Sequence, residues 1–283
     1  PAARPKLLSQ AFPETGLYLL QAGHAGESDR ISLTMDCGEL GLGSIAAHGH
    51  ADALSITLRV GGHDILVDPG TYDYFTYRPY RDYFRSTRAH NTIVVDDQDQ
   101  SEPLGLFLWG SRARARCTCW EPTPEGGTVA GEHDGYRRLP MPVMHRRTVR
   151  LNASSGEVVV RDELTGDGEH TAVLYLHFGE ACTVAAAADN RFTVDSPAGR
   201  IVLELDAGWE TRLVRGQEDP PLGWVSRGYH KKTPAFTLMA RCTWQTRLER
   251  SFRLTIPLSR RDSEGTFAET ADGSALAKGS RGA

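Results

Sequence analysis

The chain has 283 residues, a formal net charge of −4 and a pI near 6.2. This charge balance argues against a nucleic-acid-binding protein, which normally carries a basic surface, and the sequence has no apolar run long enough to span a membrane. Five cysteines are too few, and odd in number, for a disulfide scaffold. The first ten residues do not resemble a signal peptide, so we expect any export signal to lie outside this chain.

Residues 1–15 are interpreted as a linker that leads into the first strand. Strands are then predicted in chain order at 16–21, 31–36, 54–60, 63–67 and 91–95. Gly61 and Gly62 would join the third and fourth of these as a β-hairpin. The intervening segment 72–88 is rich in aromatic residues and arginines, and it is interpreted as a long functional loop.

Further strands are predicted at intervals of about ten residues from 113 to 257, most of them bounded by Gly, Pro, Asp or Asn. This spacing, together with the lack of a long helical pattern, predicts an all-β fold with a large antiparallel β-sandwich. The sandwich domain is assigned to residues 16–260. Residues 261–283 are rich in Gly, Ser and Ala and are expected to form a disordered tail.

A group of polar residues marks the candidate site. His48, His50 and Asp52 occupy alternate positions, which share one face if the segment is an extended strand. Asp68 ends a predicted strand just before a Pro-Gly turn, and His90 begins the next one. Three neighbouring strand ends would bring His50, Asp68 and His90 together, and two imidazoles plus a carboxylate form a common zinc site with an open fourth position. Asp52 is a candidate to orient one of the imidazoles.

The sequence around these residues resembles the C-terminal β-sandwich domain of the heparinase II/III-like polysaccharide lyases. The matching pieces are His48-Gly-His50-Ala-Asp52, Asp68-Pro69-Gly70-Thr71-Tyr72, Tyr83-Phe84-Arg85-Ser86-Thr87, Ala89-His90-Asn91-Thr92, Gln100-Ser101-Glu102, His133-Asp134-Gly135-Tyr136 and His145-Arg146-Arg147. The resemblance extends over residues 16–257, and the motifs are specific as a set.

Members of that family cleave acidic polysaccharides by β-elimination, in a cleft between a helical toroid and the sandwich. The resemblance implies that His50, Asp68 and His90 hold a structural zinc ion and that His48 points into the cleft. The toroid, which carries the catalytic acid in the family, has no counterpart here. The chain is therefore expected to be part of a longer periplasmic or secreted protein, with a toroid partner in the same parent protein.

β-Elimination at a uronate needs a neutralised carboxylate, a base and an acid. His48 is suited to act as base or neutraliser, because imidazole exchanges protons near neutral pH. The candidate acids within the chain are Tyr77, Tyr80 and Tyr83, among which the sequence does not choose. The candidates for binding the carboxylates or sulfates of the substrate are Arg78, Arg81, Arg85 and Arg88.

Two other functions remain open at this point. One is a non-catalytic carbohydrate-binding module that grips acidic glycan with segment 72–88. The other is a hydrolase in which a zinc-bound water attacks the substrate. His133 is interpreted as a structural histidine more readily than as a site residue, and the histidines at 145, 177 and 230 are interpreted as structural.

Overall fold

The computed structural model describes residues 5–41 and 43–257. Within these ranges the strands are β1 (Gln10–Phe12), β2 (Leu17–Ala22), β3 (Ile31–Asp36), β4 (Ile56–Val60), β5 (His63–Leu66), β6 (Ile93–Val95), β7 (Ala115–Thr123), β8 (Gly126–His133), β9 (Val143–Asn152), β10 (Glu157–His177), β11 (Thr183–Ala188), β12 (Arg191–Ser196), β13 (Gly199–Leu205), β14 (Glu210–Arg215), β15 (Trp224–Gly228), β16 (Lys231–Pro234) and β17 (Phe236–Thr255). The α-helix is α1 (Arg78–Arg85), and 3₁₀ turns lie at Thr87–Ala89 and Gly135–Arg138.

The strands form two large antiparallel sheets and a small two-stranded one. The first sheet has the order β1-β2-β3-β4-β5. The second has the order β11-β12-β13-β17-β10-β9-β8-β7, with β14 paired to β17 and β6 paired to β10. The long strands β10 and β17 pair along their whole length, apart from an irregularity between Thr165 and Glu169. They form the central scaffold of the larger sheet.

The main core lies between the two large sheets. Strand β9 shows why, because its buried residues alternate with more exposed ones along the whole strand, as expected when one face of a sheet is buried. The five-stranded sheet contributes Leu20, Leu33 and Leu58 to one continuous cluster, and the larger sheet contributes Val149, Val160 and Leu174. Burying each such side chain stabilises the fold by about 1.5–3 kcal/mol. The predicted all-β antiparallel sandwich is therefore confirmed.

Helix α1 covers the opposite face of the larger sheet. Val173 and Tyr175 of β10 point away from the main core and pack in a second cluster with Tyr83 and Phe84 of the helix. Pro79 lies in the first turn of the helix, where a proline costs no hydrogen bond. The sequence predicted a loop here, and that prediction is wrong for residues 78–85. The helical pattern is hidden because two of the buried positions are arginines.

Other boundaries also differ from the prediction. The segment interpreted as a linker includes strand β1, which pairs with β2. Strands β4 and β5 form the predicted hairpin, and Gly61 and Gly62 both have positive φ angles, as a two-residue turn of this kind requires. The predicted tail lies outside the described residues. In the described part of the chain, no helix has the length and apolar character needed to cross a membrane.

Candidate metal centre and the adjoining surface

Four side chains from three segments meet at one end of the five-stranded sheet. His50, Asp52, Asp68 and His90 each offer a ligand atom, and these atoms all lie within 4.8 Å of one another. Residues 47–50 form a turn and coil rather than the predicted strand. The predicted trio of His50, Asp68 and His90 is therefore brought together, Asp52 joins it, and His48 stays outside the cluster.

The spacing of the donors matches that of a small tetrahedral metal ion. His50 Nδ1 lies 3.2 Å from His90 Nε2, and Asp68 Oδ2 lies 3.4 Å from the same nitrogen. Ligands held at 2.0–2.1 Å from a tetrahedral zinc ion are about 3.3 Å apart. Two of the distances in the cluster are therefore close to those between the ligands of one metal ion.

A hydrogen bond on the side of the ring away from the cluster fixes the orientation of His90. Its ring is fully buried, and Nδ1 donates a hydrogen bond to the carbonyl of Ser86 at 2.8 Å. This bond leaves the lone pair of Nε2 directed at the cluster, as in most protein metal sites. The ring of His50 is positioned less firmly, with Nε2 lying 3.5 Å from the hydroxyl of Thr71.

Asn91 ties the segments of the cluster together. Its side-chain amide is buried and donates to the carbonyls of Ile56 at 2.7 Å and Val67 at 2.9 Å, while its oxygen accepts from the backbone of His177 at 2.6 Å. Val67 precedes Asp68, and Asn91 follows His90. One amide therefore sets the distance between the segments that carry these two donors.

Asp68 lies in a tight turn. Its Oδ1 accepts a hydrogen bond from the backbone of Gly70 at 2.8 Å, which leaves the other oxygen to face His90. Gly70 has a φ of +81°, and a Cβ atom there would lie 2.1 Å from the carbonyl oxygen of Ser226. Glycine at position 70 is therefore required both by the backbone conformation and by the close approach of β15.

The charges at the cluster favour a bound cation. Burial raises the pKa of Asp52 well above its usual value, and the neighbouring carboxylates of Asp36 and Asp68 raise it further. Burial likewise raises the pKa of Asp36. Burial, and then the proximity of His90, lowers the pKa of His50 well below its usual value. The neutral imidazole of His50 is in its metal-ligating form, and a metal ion bound at the crowded carboxylates would displace the proton that the raised pKa of Asp52 favours.

A buried polar network supports the cluster from the larger sheet. Asp162 accepts two hydrogen bonds from Arg147, at 2.7 and 2.9 Å, and one from His145 at 2.7 Å. His145 in turn lies 3.1 Å from His133. Arg147 also donates to the carbonyls of Leu54 and Asn91, in the segments that carry the metal donors. In the structure, these two histidines are part of a buried framework.

His48 lies on the surface beside the cluster. Its exposed ring makes edge contacts with Tyr74, at 5.4 Å between centroids, and with Phe107 at 6.0 Å. Tyr74 also stacks against Tyr229 at 6.1 Å. We call His48, Tyr74, Phe107 and Tyr229 the aromatic surface. Phe107 and Tyr229 were missed by sequence analysis, because each is a single aromatic residue far along the chain from the histidine motif.

His230 stacks on Tyr229 at 4.1 Å, and it lies 2.9 Å from Asp73. Although burial acts to raise the pKa of Asp73, hydrogen bonds from Tyr77 and His230 hold it well below its usual value. This contact fixes His230 beside the aromatic surface, where sequence analysis interpreted it as structural. His177 is buried and lies 3.0 Å from both the carbonyl of Arg88 and the hydroxyl of Thr237.

The three candidate tyrosines lie in different environments. Tyr77 is 52% exposed, whereas Tyr83 is 4% exposed and packs on Phe84. Tyr80 is half-buried and its hydroxyl donates to Glu218. Burial raises the pKa of Tyr80, and the bond to Glu218 raises it further. Tyr77 is therefore the most exposed residue of the three, and the identity of the acid stays a prediction.

The four candidate arginines separate into two pairs. Arg78 and Arg88 are exposed, and Arg78 pairs with Asp82 at 3.1 Å. Arg81 and Arg85 are 0% and 1% exposed, and their guanidinium groups donate to backbone carbonyls of residues 105–108. Of the four, only Arg78 and Arg88 are open to solvent.

Comparisons with known proteins agree with this architecture. The family model described as heparinase II/III-like, C-terminal, matches residues 4–263. Similar solved structures include a heparinase III gene product, with a TM-score of 0.71, 18% identity, and coverage of 89% of this chain and 36% of that chain. Another crystal structure of heparinase III has a TM-score of 0.70 and 17% identity, with 90% and 37% of the two chains covered.

The heparan sulfate lyase HepC from Pedobacter heparinus has a TM-score of 0.67 and 17% identity, with 89% of this chain and 36% of that chain covered. No match to a curated protein was found. The chain thus spans little more than a third of the length of these three structures. Because the family model covers nearly all of the described residues, the chain belongs to the heparinase II/III-like family and corresponds to its C-terminal domain.

Proposed function

We propose that this chain is the zinc-bearing sandwich domain of a polysaccharide lyase that cleaves uronate-containing acidic glycans by β-elimination. The observation that carries the proposal is the position of His48, whose exposed imidazole lies on an aromatic surface next to the four-donor cluster. Family membership and the shared fold with heparan sulfate lyases support it. Because the chain covers about a third of those structures, the complete active site would include the missing helical domain.

Zinc is the metal that best fits the donor set. Two imidazole nitrogens and carboxylate oxygens are ordinary zinc ligands, and structural zinc sites are four-coordinate. Asp52 would supply the fourth ligand beside His50, Asp68 and His90. Bound there, the ion would neutralise the crowded carboxylates and tie together the three segments that carry them.

In this proposal His48 acts on the substrate and the metal donors hold its segment in place. The imidazole of His48 removes the proton next to the uronate carboxylate, the C4–O bond breaks, and a double bond forms between C4 and C5. The leaving oxygen takes a proton from an acid, for which Tyr77 is the accessible candidate in this chain. Tyr74 and Phe107 would stack on sugar rings, as aromatic side chains commonly do at binding surfaces.

The metal assignment is tested by elemental analysis of the purified chain and two matched variants. His50→Ala is expected to lose the metal, because it removes a donor. His48→Ala, only two residues away, is expected to keep about one zinc per chain. Retention of zinc in both variants, or its absence from the folded parent chain, would remove the ligand assignment.

Activity is tested with the complete parent protein, by following the ultraviolet absorbance of unsaturated uronate products from heparan sulfate, heparin and alginate. His48→Ala is expected to lower turnover by about 100-fold or more, the usual contribution of a general base. The isolated domain should release products poorly. Saturated products would refute the elimination mechanism, and full turnover by His48→Ala would refute the assignment of His48 as its base.

A binding module without catalysis is the second candidate, and the exposed aromatic surface is the observation that favours it. Such a module would keep its affinity for acidic glycan in His48→Ala. It would also give no unsaturated product with the helical domain present. The glycan affinity of His48→Ala and the formation of unsaturated product therefore separate the two candidates.

A further inference from the structure

Two arginines of helix α1 have an unusual environment. The guanidinium groups of Arg81 and Arg85 are buried, yet in the described part of the chain neither lies within ion-pairing distance of a carboxylate. Burial, and then the neighbouring charge of Arg81, lower the pKa of Arg85 to about 10. A buried charge without a counter-ion costs stability, so a structural benefit must offset it.

Arg81 connects the two halves of the aromatic surface. Its Nε and Nη2 donate to the carbonyl of Leu106 at 3.1 and 3.0 Å, and Nη2 lies 3.5 Å from the carbonyl of Ala47, the residue before His48. The guanidinium also lies 5.2 Å from the ring of Tyr74 and 5.5 Å from that of Phe107. One side chain thus contacts both the His48 turn and the segment that carries Phe107.

Arg85, one helical turn later, holds the same segment further along. Nη1 donates to the carbonyl of Gly105 at 2.5 Å, Nη2 donates to that of Leu108 at 3.4 Å, and the guanidinium lies 4.0 Å from the ring of Trp109. The backbone carbonyl of Arg85 also accepts from the amide of Ala51, next to His50. Carbonyls of the segment are therefore bound by two guanidinium groups from one rigid helix.

We infer that Arg81 and Arg85 are positioning residues that hold segment 104–109 against the His48 turn and so form one wall of the glycan site. They act through Phe107 and do not contact the glycan. Planar guanidinium groups suit this role, because each directs several donors in fixed directions, whereas an ammonium group does not. That the wall belongs to a glycan site rests on the proposed function. The positioning of segment 104–109 by the two arginines depends only on the contacts above.

The first test measures the segment without any ligand. Arg81→Lys keeps the charge but loses the planar set of donors, so amide hydrogen exchange in a peptide covering residues 103–110 is expected to rise about tenfold or more. Exchange in strand β9 should stay unchanged. Arg200→Lys, an exposed arginine paired with Asp195 on another part of the large sheet, is the control. Unchanged exchange at 103–110 in both Arg81→Lys and Arg85→Lys would overturn the inference.

The second test is a double-mutant cycle on binding of a heparan sulfate oligosaccharide to the complete parent protein. Phe107→Ala is expected to weaken binding about tenfold, the order of one aromatic contact. If Arg81 acts through Phe107, Arg81→Lys weakens binding similarly and the double variant is no worse than either single one. Additive losses would mean that Arg81 contacts the glycan itself, and would overturn the inference.

The two tests fail independently. If the parent protein binds no acidic glycan, the proposed function fails, whereas the exchange experiment still decides whether Arg81 holds the segment. Zinc content gives a further check, because Arg81→Lys should retain the metal that His50→Ala loses. Loss of zinc in Arg81→Lys would show that the arginine supports the metal donors instead of the wall.

Discussion

Among the carboxylates that form ion pairs in the described part of the chain, Asp162 is the one whose replacement by the corresponding amide should destabilise the protein most. Asp162 is nearly fully buried and accepts two hydrogen bonds from Arg147, whose side chain is 0% exposed. The amide would turn an NH₂ group towards donors and leave the guanidinium charge without a counter-ion. Breaking a buried pair in this way costs about 3–5 kcal/mol, a large share of the stability of a typical domain.

The prediction has a matched control within the same sheet. Asp195 and Arg200 form a pair with the same bidentate geometry, at 2.6 and 3.2 Å, but both side chains are largely exposed. Solvent screens that pair, so Asp195→Asn should leave stability almost unchanged. The measurement is urea denaturation, where only the midpoint should move in Asp162→Asn and the slope should stay constant. Similar midpoints for the two variants would refute the assignment of Asp162 as the central acceptor of the network.

Two further predictions concern acid stability and the turn after Asp68. Although burial opposes it, Arg147 and then His145 hold the pKa of Asp162 at about 2, below its usual 3.8. The stability that this provides is complete above about pH 5 and is lost progressively as the pH falls to about 1, so unfolding free energies across this range should show a loss of roughly 2 kcal/mol that Asp162→Asn lacks. Gly70→Ala should strongly destabilise the protein in thermal melts, because the added Cβ would meet a backbone oxygen. Gly62 has a similar φ of +85° with open space around it, so Gly62→Ala should cost only about 1 kcal/mol. Equal effects of the two substitutions would show that the clash at Gly70 is relieved.

Much of the fold could be predicted from alternation of apolar and polar residues. The hairpin of β4 and β5, with its Gly-Gly connection, follows from sequence signals that act over a few residues. Helix α1 could not be predicted in the same way, because it buries Arg81 and Arg85 beside Phe84 and so lacks an apolar face. A guanidinium that is satisfied by carbonyls from a distant segment looks, in the sequence, like a solvent-exposed charge.

The candidate site likewise has a part that could be predicted from local sequence and a part that could not. His50, Asp68 and His90 could be predicted as a set because their residue types and the strand ends beside them are visible locally. The place of Asp52 among the donors could not be predicted, because it depends on how the turn and coil at residues 47–50 lead into it. The ring of Phe107 lies 6.0 Å from that of His48 and contacts the guanidinium of Arg81, and no local pattern in the sequence encodes these contacts.

These contacts give the two parts of the site separate supports. The metal donors depend on Asn91 and, behind it, on the pair of Arg147 and Asp162, whose bonds run to the larger sheet. The aromatic surface instead depends on Arg81, whose bonds run to segment 104–109 and to the carbonyl of Ala47. Since no residue of one support bonds to the other among these contacts, loss of Asp162 should weaken metal retention before it alters the wall. Loss of Arg81 should loosen the wall while the metal stays, so that the metal centre and the binding surface can be perturbed one at a time.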